Sequence, residues 1–278
     1  MKTTASSSPA LLPGVRLKQI LISISRQAER DIELFISCPR ERHIHALRVR
    51  MKKLRALLPL IESSVGPTPM EAIHHGVRTL RLAFGASRDQ QVAQALLMEL
   101  HQPGLVSGPA SVGAQQKTRT GKPPGPRRLR ELKAAARSLT LRFQGLRMRT
   151  LTREDVAAAF AGNYAEARRR HKRCRRNPSA KRMHHWRTLV KDHFFQSLIL
   201  LRDRRRCGRA RKLGALLGKL HDFTLLRKRF SAGMTDDLHN AIRHRMTDLR
   251  ALAFRKARRV LAPSPAKLEH RVLKALRP

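Results

Sequence analysis

The chain has 278 residues, 41% of them hydrophobic, which is enough for one large or two small domains with a real core. It carries 60 Lys and Arg, most of them Arg, against 19 Asp and Glu, a formal net charge of +41 that repels itself and attracts polyanions. No apolar run approaches the roughly 18 residues of a membrane span, and Cys38, Cys174 and Cys207 are too widely spaced for a disulfide framework or a zinc site, which suits a reducing cytoplasm.

Apolar residues recur at helical spacing nearly throughout, with no alternating stretch of strand character. Residues 1–13 read as a disordered leader. A first helix follows over about 16–37, with Ile20, Ile24, Ala28 and Ile32 on one side, and Cys38-Pro39 ends it. A second helix covers about 41–63, then comes a turn, Ser64-Val-Gly-Pro-Thr-Pro69, and a helical region to about His101 with a break near Gly85. The stretch 103–126 is rich in Gly, Pro, Ser and Thr and reads as a flexible linker. Helices then recur near 127–149, 152–175, 179–204, 208–231 and 235–262, before a short C-terminal helix or tail over 263–278. Thr152 and Asp155 are spaced as a capping box, and Asn177-Pro-Ser179 marks a boundary. The expected architecture is all-α: a first half over 14–102, a linker over 103–126 and a second half over 127–262.

Two of these helices carry the same stripe. His45, Arg48 and Lys52 in the second helix recur as His184, Arg187 and Lys191, 139 residues later. Offsets of 0, 3 and 7 fall within about 60° of one another on a helix, and Arg55 at offset 10 extends the first arc to about 80°. In the first copy the apolar seam of Leu47, Met51, Leu54, Leu58 and Ile61 lies directly beside this arc. Trp186 and Val190 take the matching seam positions in the second, where Trp186 serves as a core anchor. A basic face at the margin of a core-facing seam lines a groove or cavity. Two like charges ~6 Å apart repel by roughly 3 kcal/mol at an effective dielectric of ~20, so such a lining calls for an anion. Arginine forks suit phosphate oxygens, and histidines among arginines should have lowered pKa values.

The repeat continues downstream. Arg78, Gly85, Arg88 and Asp89 align with Arg211, Gly218, His221 and Asp222, with the second half six residues shorter in between. Asp89 and Asp222 suit orientation of neighbouring basic side chains or helix capping better than metal binding, since one acid per half is a poor cage for a hard cation. No metal or other cofactor is expected. The contiguous basic run over 168–176 reads as diffuse charge.

These paired segments, His45-x-x-Arg48-x-x-x-Lys52-Lys53-Leu-Arg55, His184-x-Trp-Arg187-x-x-x-Lys191 and the two Gly-led segments ending in Asp89 and Asp222, resemble the CHAD domain, the conserved-histidine α-helical domain, over roughly 14–262. The resemblance implies two four-helix-bundle halves related by a pseudo-two-fold axis around a basic central cavity. It further implies binding of inorganic polyphosphate, in the cytoplasm and at polyphosphate granules. Carried over by position, the binding set is His45, Arg48, Lys52, Arg55, Arg78, Arg88, His184, Arg187, Lys191, Arg211 and His221. Two positions depart from the pattern: Phe195 stands where relatives commonly have Tyr, and Phe194 matches Arg55. The Glu-x-Glu-x-Lys signature of the fused triphosphate-hydrolysing domain found in many relatives is missing from this sequence.

Three functions compete on these grounds. Non-enzymatic polyphosphate binding leads, since a linear phosphate chain offers dense charge and no bases. A non-specific nucleic-acid binder is the alternative, but one Trp and one Tyr leave few platforms for stacking bases. An enzyme using His45 or His184 as acid or base would need carboxylates to hold a metal or a positioned nucleophile, and acids are scarce. The sequence leaves the oligomeric state open.

Overall fold

A computed structural model of the protein describes residues 13–83, 95–100, 124–201, 203–230 and 234–277. The leader, the segment holding Gly85, Arg88 and Asp89, and nearly all of the Gly/Pro-rich linker lie outside the described residues. Every regular element among those described is helical. In chain order they are α1 (Pro13–Ser37), α2 (Glu41–Leu57), α3 (Pro67–Leu82), α4 (Pro126–Gly145), α5 (Arg153–Arg176), α6 (Ala180–Leu200), α7 (Arg204–Phe230), α8 (Asp236–Val260) and α9 (Pro265–Ala275). Residues 95–100 are also helical. None of these helices is long and apolar enough to cross a membrane.

Local chemistry explains most of the boundaries. Thr152 accepts from the Asp155 amide and Asp155 accepts from the Thr152 amide, the reciprocal capping box expected at the start of α5. Ser179, Thr235 and Ser264 cap α6, α8 and α9 in the simpler one-sided way. One expectation fails. The second helix stops at Leu57 instead of running to Ser63, and two short 3-10 turns, Leu58–Leu60 and Glu62–Ser64, replace its last part. The cause is Pro59, which lacks an N–H and whose ring cannot sit against the carbonyl four residues earlier. Pro67 and Pro69, expected in a turn, instead occupy the first turn of α3, where a missing N–H costs nothing.

Packing builds two groups of helices. α1 lies on α2 and α4, and α3 also lies on α2 and α4, which closes a ring. The α1 face is Leu17, Leu21, Ile24, Ala28, Ile32 and Phe35, a fuller stripe than the four residues the periodicity singled out, while Ile20 is only partly buried. In the second group α6 lies on α5 and α7, α7 lies on α8, and α9 covers α5. Phe254 of α8 reaches Trp186 of α6 and His171 of α5, with ring centroids 5.6 and 5.8 Å apart.

The helix α4 packs on α1 and α3. It was expected to open the second half, but it packs in the first group. Leu132, Ala136, Leu139 and Phe143 form its buried face. Thr140 shares a 2.6 Å buried hydrogen bond with Ser25 of α1, and Lys18 donates to the Leu146 carbonyl at 2.7 Å. A flexible linker says where chain is loose, not which neighbour the next helix will cover, and α4 covers the gap between α1 and α3. The crossing to the second group therefore comes after α4, around residues 146–152. Gly14 makes this crossing possible: a Cβ there would stand 1.9 Å from the Met148 carbonyl oxygen.

The two groups meet where α2 packs on α6. Because α2 ends at Leu57, its last carbonyls need partners from elsewhere. The Leu58 amide serves the Leu54 carbonyl, and the wholly buried Gln196 of α6 donates to the Ala56 carbonyl at 2.7 Å. Replacing Gln196 with Leu should strand that carbonyl and lower unfolding free energy by about 1–3 kcal/mol. Gly162, with open space around it in the middle of α5, should behave oppositely: Gly162→Ala should stabilise by about 0.5–1 kcal/mol. Urea unfolding of both variants checks the pair, and equal signs would contradict the assignment.

Candidate functional site

The α2–α6 seam carries the two basic stripes, and their apolar margins are where the sequence placed them. Leu47, Met51, Leu54, Leu58 and Ile61 are buried, as are Trp186 and Val190. Arg55 of α2 donates through Nη2 to Asp192 Oδ1 of α6 at 2.6 Å, which ties the stripes together. Burial pushes the Asp192 carboxyl above its ordinary pKa, and Arg55 and Lys191 oppose that rise. Asp192 is thus a buried carboxyl engaged by the protein's own arginine.

Basic side chains from both groups gather on this seam. His184 of α6 lies against His221 of α7, with ring centroids 4.6 Å apart and the planes tilted by 48°. Its pKa is lowered first by burial and then by Arg187, His185, Arg55 and Arg81. Arg81, at the end of α3, is itself pushed down by burial, Arg55 and Arg78. The field at one histidine therefore comes from α2, α3 and α6 together. Across the seam, α7 offers a bare backbone at Gly218. A Cβ there would lie 3.8 Å from Arg187 Nε and 3.9 Å from Lys191 Nζ, in van der Waals contact with both cations. Arg55 Nε and His184 Nδ1 are among the buried polar atoms of the cluster with no hydrogen-bond partner. Buried donors in that condition cost free energy until a ligand or water satisfies them.

The structure thus brings Arg55, Arg78, His184, Arg187, Lys191 and His221 together from the expected set. Lys52 and Arg48 follow at about one and two turns from Arg55 along α2, both half-buried and both with contacts of their own. His45 lies a further turn away and is exposed, and Arg211 is exposed on α7. Asp222 is half-buried directly after His221. Arg88 and Asp89 lie outside the described residues. Phe194, the counterpart of Arg55, packs against the core, and Phe195 is buried with its ring 5.0 Å from that of Phe194.

Sequence reasoning missed Arg81 and Asp192. Arg81 stands three residues after Arg78, one turn along the same helix face, and that spacing was the available signal. Asp192 follows the motif Lys191 directly, and in so acid-poor a chain an Asp at that place had something to neutralise.

A family model for the CHAD domain matches residues 26–231, well over half of the chain. The chain belongs to the CHAD domain family. Neither a search of curated proteins nor one of solved structures found a match.

Beyond the cluster, α6 carries a buried histidine that composition could not single out. Arg206 Nη2 donates to His193 Nε2 at 2.9 Å, so His193 accepts and is neutral, with its proton on Nδ1. The Arg206 guanidinium also lies over the Tyr164 ring, 5.4 Å from its centroid. Burial, then Arg206, pushes His193 down to about 3, and burial with Arg175 pushes His171 to about 4. Folding therefore keeps His171 and His193 neutral, whereas an unfolded chain takes up their protons near pH 6.5. The stability this confers is complete above that pH and is lost as pH falls toward 4, where the folded protein begins to be protonated as well. Each histidine adds up to about 1.4 kcal/mol per pH unit to the slope. His193→Gln, which keeps an acceptor for Arg206, should flatten the slope between pH 6 and 4 by one such contribution in thermal or urea melts.

Proposed function

We propose that this protein binds inorganic polyphosphate, without turning it over, in a basic cavity shared by its two helical groups. The groups act as pseudo-two-fold-related halves, and α2 and α6 form facing walls. Membership of a family linked in general to polyphosphate binding supports this reading. The observation that carries it is the field at His184, to which Arg55 and Arg81 of the first group and Arg187 of the second all contribute. Such a gathering repels itself by roughly 3 kcal/mol per close pair in an effective dielectric of ~20. A run of phosphates removes that repulsion, satisfies Arg55 Nε and His184 Nδ1, and forms charge-assisted bonds to arginine.

The same geometry argues for binding over catalysis. Phosphoryl transfer relies on carboxylates to hold a metal. Asp192, the carboxyl that closes the cluster, is already held by Arg55. Incubation with polyphosphate and a divalent cation should release no phosphate. A cytoplasmic site of action, at polyphosphate granules, completes the reading.

Two arginines from facing walls provide the test. Arg48→Ala with Arg187→Ala should weaken long-chain polyphosphate binding at least tenfold, since each charge-assisted bond contributes about 1.5–3 kcal/mol. Arg137→Ala with Arg142→Ala, from the exposed face of α4, should change it less than threefold. Equal losses would mean that diffuse charge governs binding. Affinity should fall steeply with salt, as counterion release dictates. In competition, polyphosphate should displace duplex DNA at far lower phosphate concentration than the reverse; if DNA wins, the protein is a nucleic-acid binder instead.

A further inference from the structure

Away from the seam, α5 and α8 enclose a groove of about 540 Å³ lined by Arg168, His171, Lys172, Arg175, Arg176 and Arg258, with Ala257 and Leu261 on its α8 side. The size suits a small ligand. The α5 residues at 168, 171, 172, 175 and 176 recur three or four apart, with two adjacent pairs, and so share one face of the helix. Arg169 and Arg170, which interrupt them, pair with Glu166 at 2.7 and 2.5 Å. Among the described residues no carboxylate pairs with any of the five groove cations. A helix C-terminus attracts basic residues through its dipole, and that accounts for Arg175 and Arg176. The field fades within a turn, so it does not account for Arg168 or Lys172.

His171 also lines the groove. It is packed between Trp186 and Phe254, with ring centroids 5.0 and 5.8 Å away, and its Nε2 is buried without a partner while the residue lines the groove. We propose that this groove is a second phosphate-binding site, separate from the seam, which takes a short inorganic phosphate chain. Five uncompensated cations match the several negative charges of a tripolyphosphate. Inorganic phosphate is favoured over a nucleotide because, among the described residues, His171 is the one ring that lines the groove, and it is already packed between Trp186 and Phe254. The site has the ligand chemistry proposed for the seam but none of its residues.

Calorimetric titration of the full chain with tripolyphosphate tests the two sites separately. The unmodified protein should show two sites. Lys172→Glu with Arg258→Glu should remove one of them, or weaken it at least tenfold, and leave the second unchanged. The milder pair Arg175→Gln with Arg258→Gln should weaken the same site if the charge reversals perturb folding. Trp186, the only tryptophan, touches His171, so its fluorescence should respond to tripolyphosphate in an Arg187→Ala background. That response should vanish when the groove is reversed. Binding that responds only to Arg187→Ala would overturn the groove and leave the seam standing. Loss only in the groove variants would uphold the groove and overturn the seam. Adenosine triphosphate binding the groove tenfold more tightly than tripolyphosphate would overturn the assignment to an inorganic chain.

Discussion

The meeting of α2 with α6 depends on an N–H that is missing. Pro59 cannot continue α2, so the helix ends at Leu57 with carbonyls left over. Gln196 takes the Ala56 carbonyl, and one turn earlier on α6 Asp192 takes Arg55. These two bonds hold the striped helices face to face, one neutral and buried, the other charged. Everything proposed for the seam follows from that docking, because neither stripe alone collects cations from both helical groups. A helix running on to Ser63 would have had its carbonyls satisfied internally and no use for Gln196.

Charge is the second constraint. With 60 basic and 19 acidic residues, the chain cannot neutralise itself, so the placement of each acid matters. Asp31 holds Arg50 between α1 and α2, and Glu99 accepts from Lys219 of α7 and Arg245 of α8. Glu166 takes two neighbours on α5, and Asp192 takes Arg55. Asp31, Glu99 and Asp192 thus sit where helices are joined, while Glu166 pairs within its own helix. Cations are left without carboxylate partners in the α5–α8 groove, where the structure also leaves room. The histidines follow the same logic: burial and nearby guanidiniums lower the pKa values of His171, His184 and His193.

Helical periodicity carried most of the fold. The seam residues from Leu47 to Ile61, the Trp186 anchor and the Thr152–Asp155 capping box all stand as read, because amphipathic spacing and capping are properties of a few consecutive residues. Proline effects were misjudged where they act on position within a helix: Pro59 stops one, while Pro67 and Pro69 start another. The duplicated His–Arg–Lys pattern identified His184 and Arg187 as candidates, yet Arg81 and Asp192 escaped because neither belongs to a repeated motif. The run 168–176 looked like undirected charge until α8 supplied an opposite wall.

By itself the sequence determined that the protein is helical, that two helices bear matching basic stripes beside apolar seams, and that the chain carries a net charge of +41. Those are local facts, written in 3.6-residue periodicity and in composition. Only the tertiary structure decided that α4 completes the first helical group, that Arg55 is engaged by Asp192, and that part of a basic run faces a groove. The physical reason is that helix partners are chosen by complementary faces and unsatisfied polar groups far apart in the chain. No window of neighbouring residues contains that information.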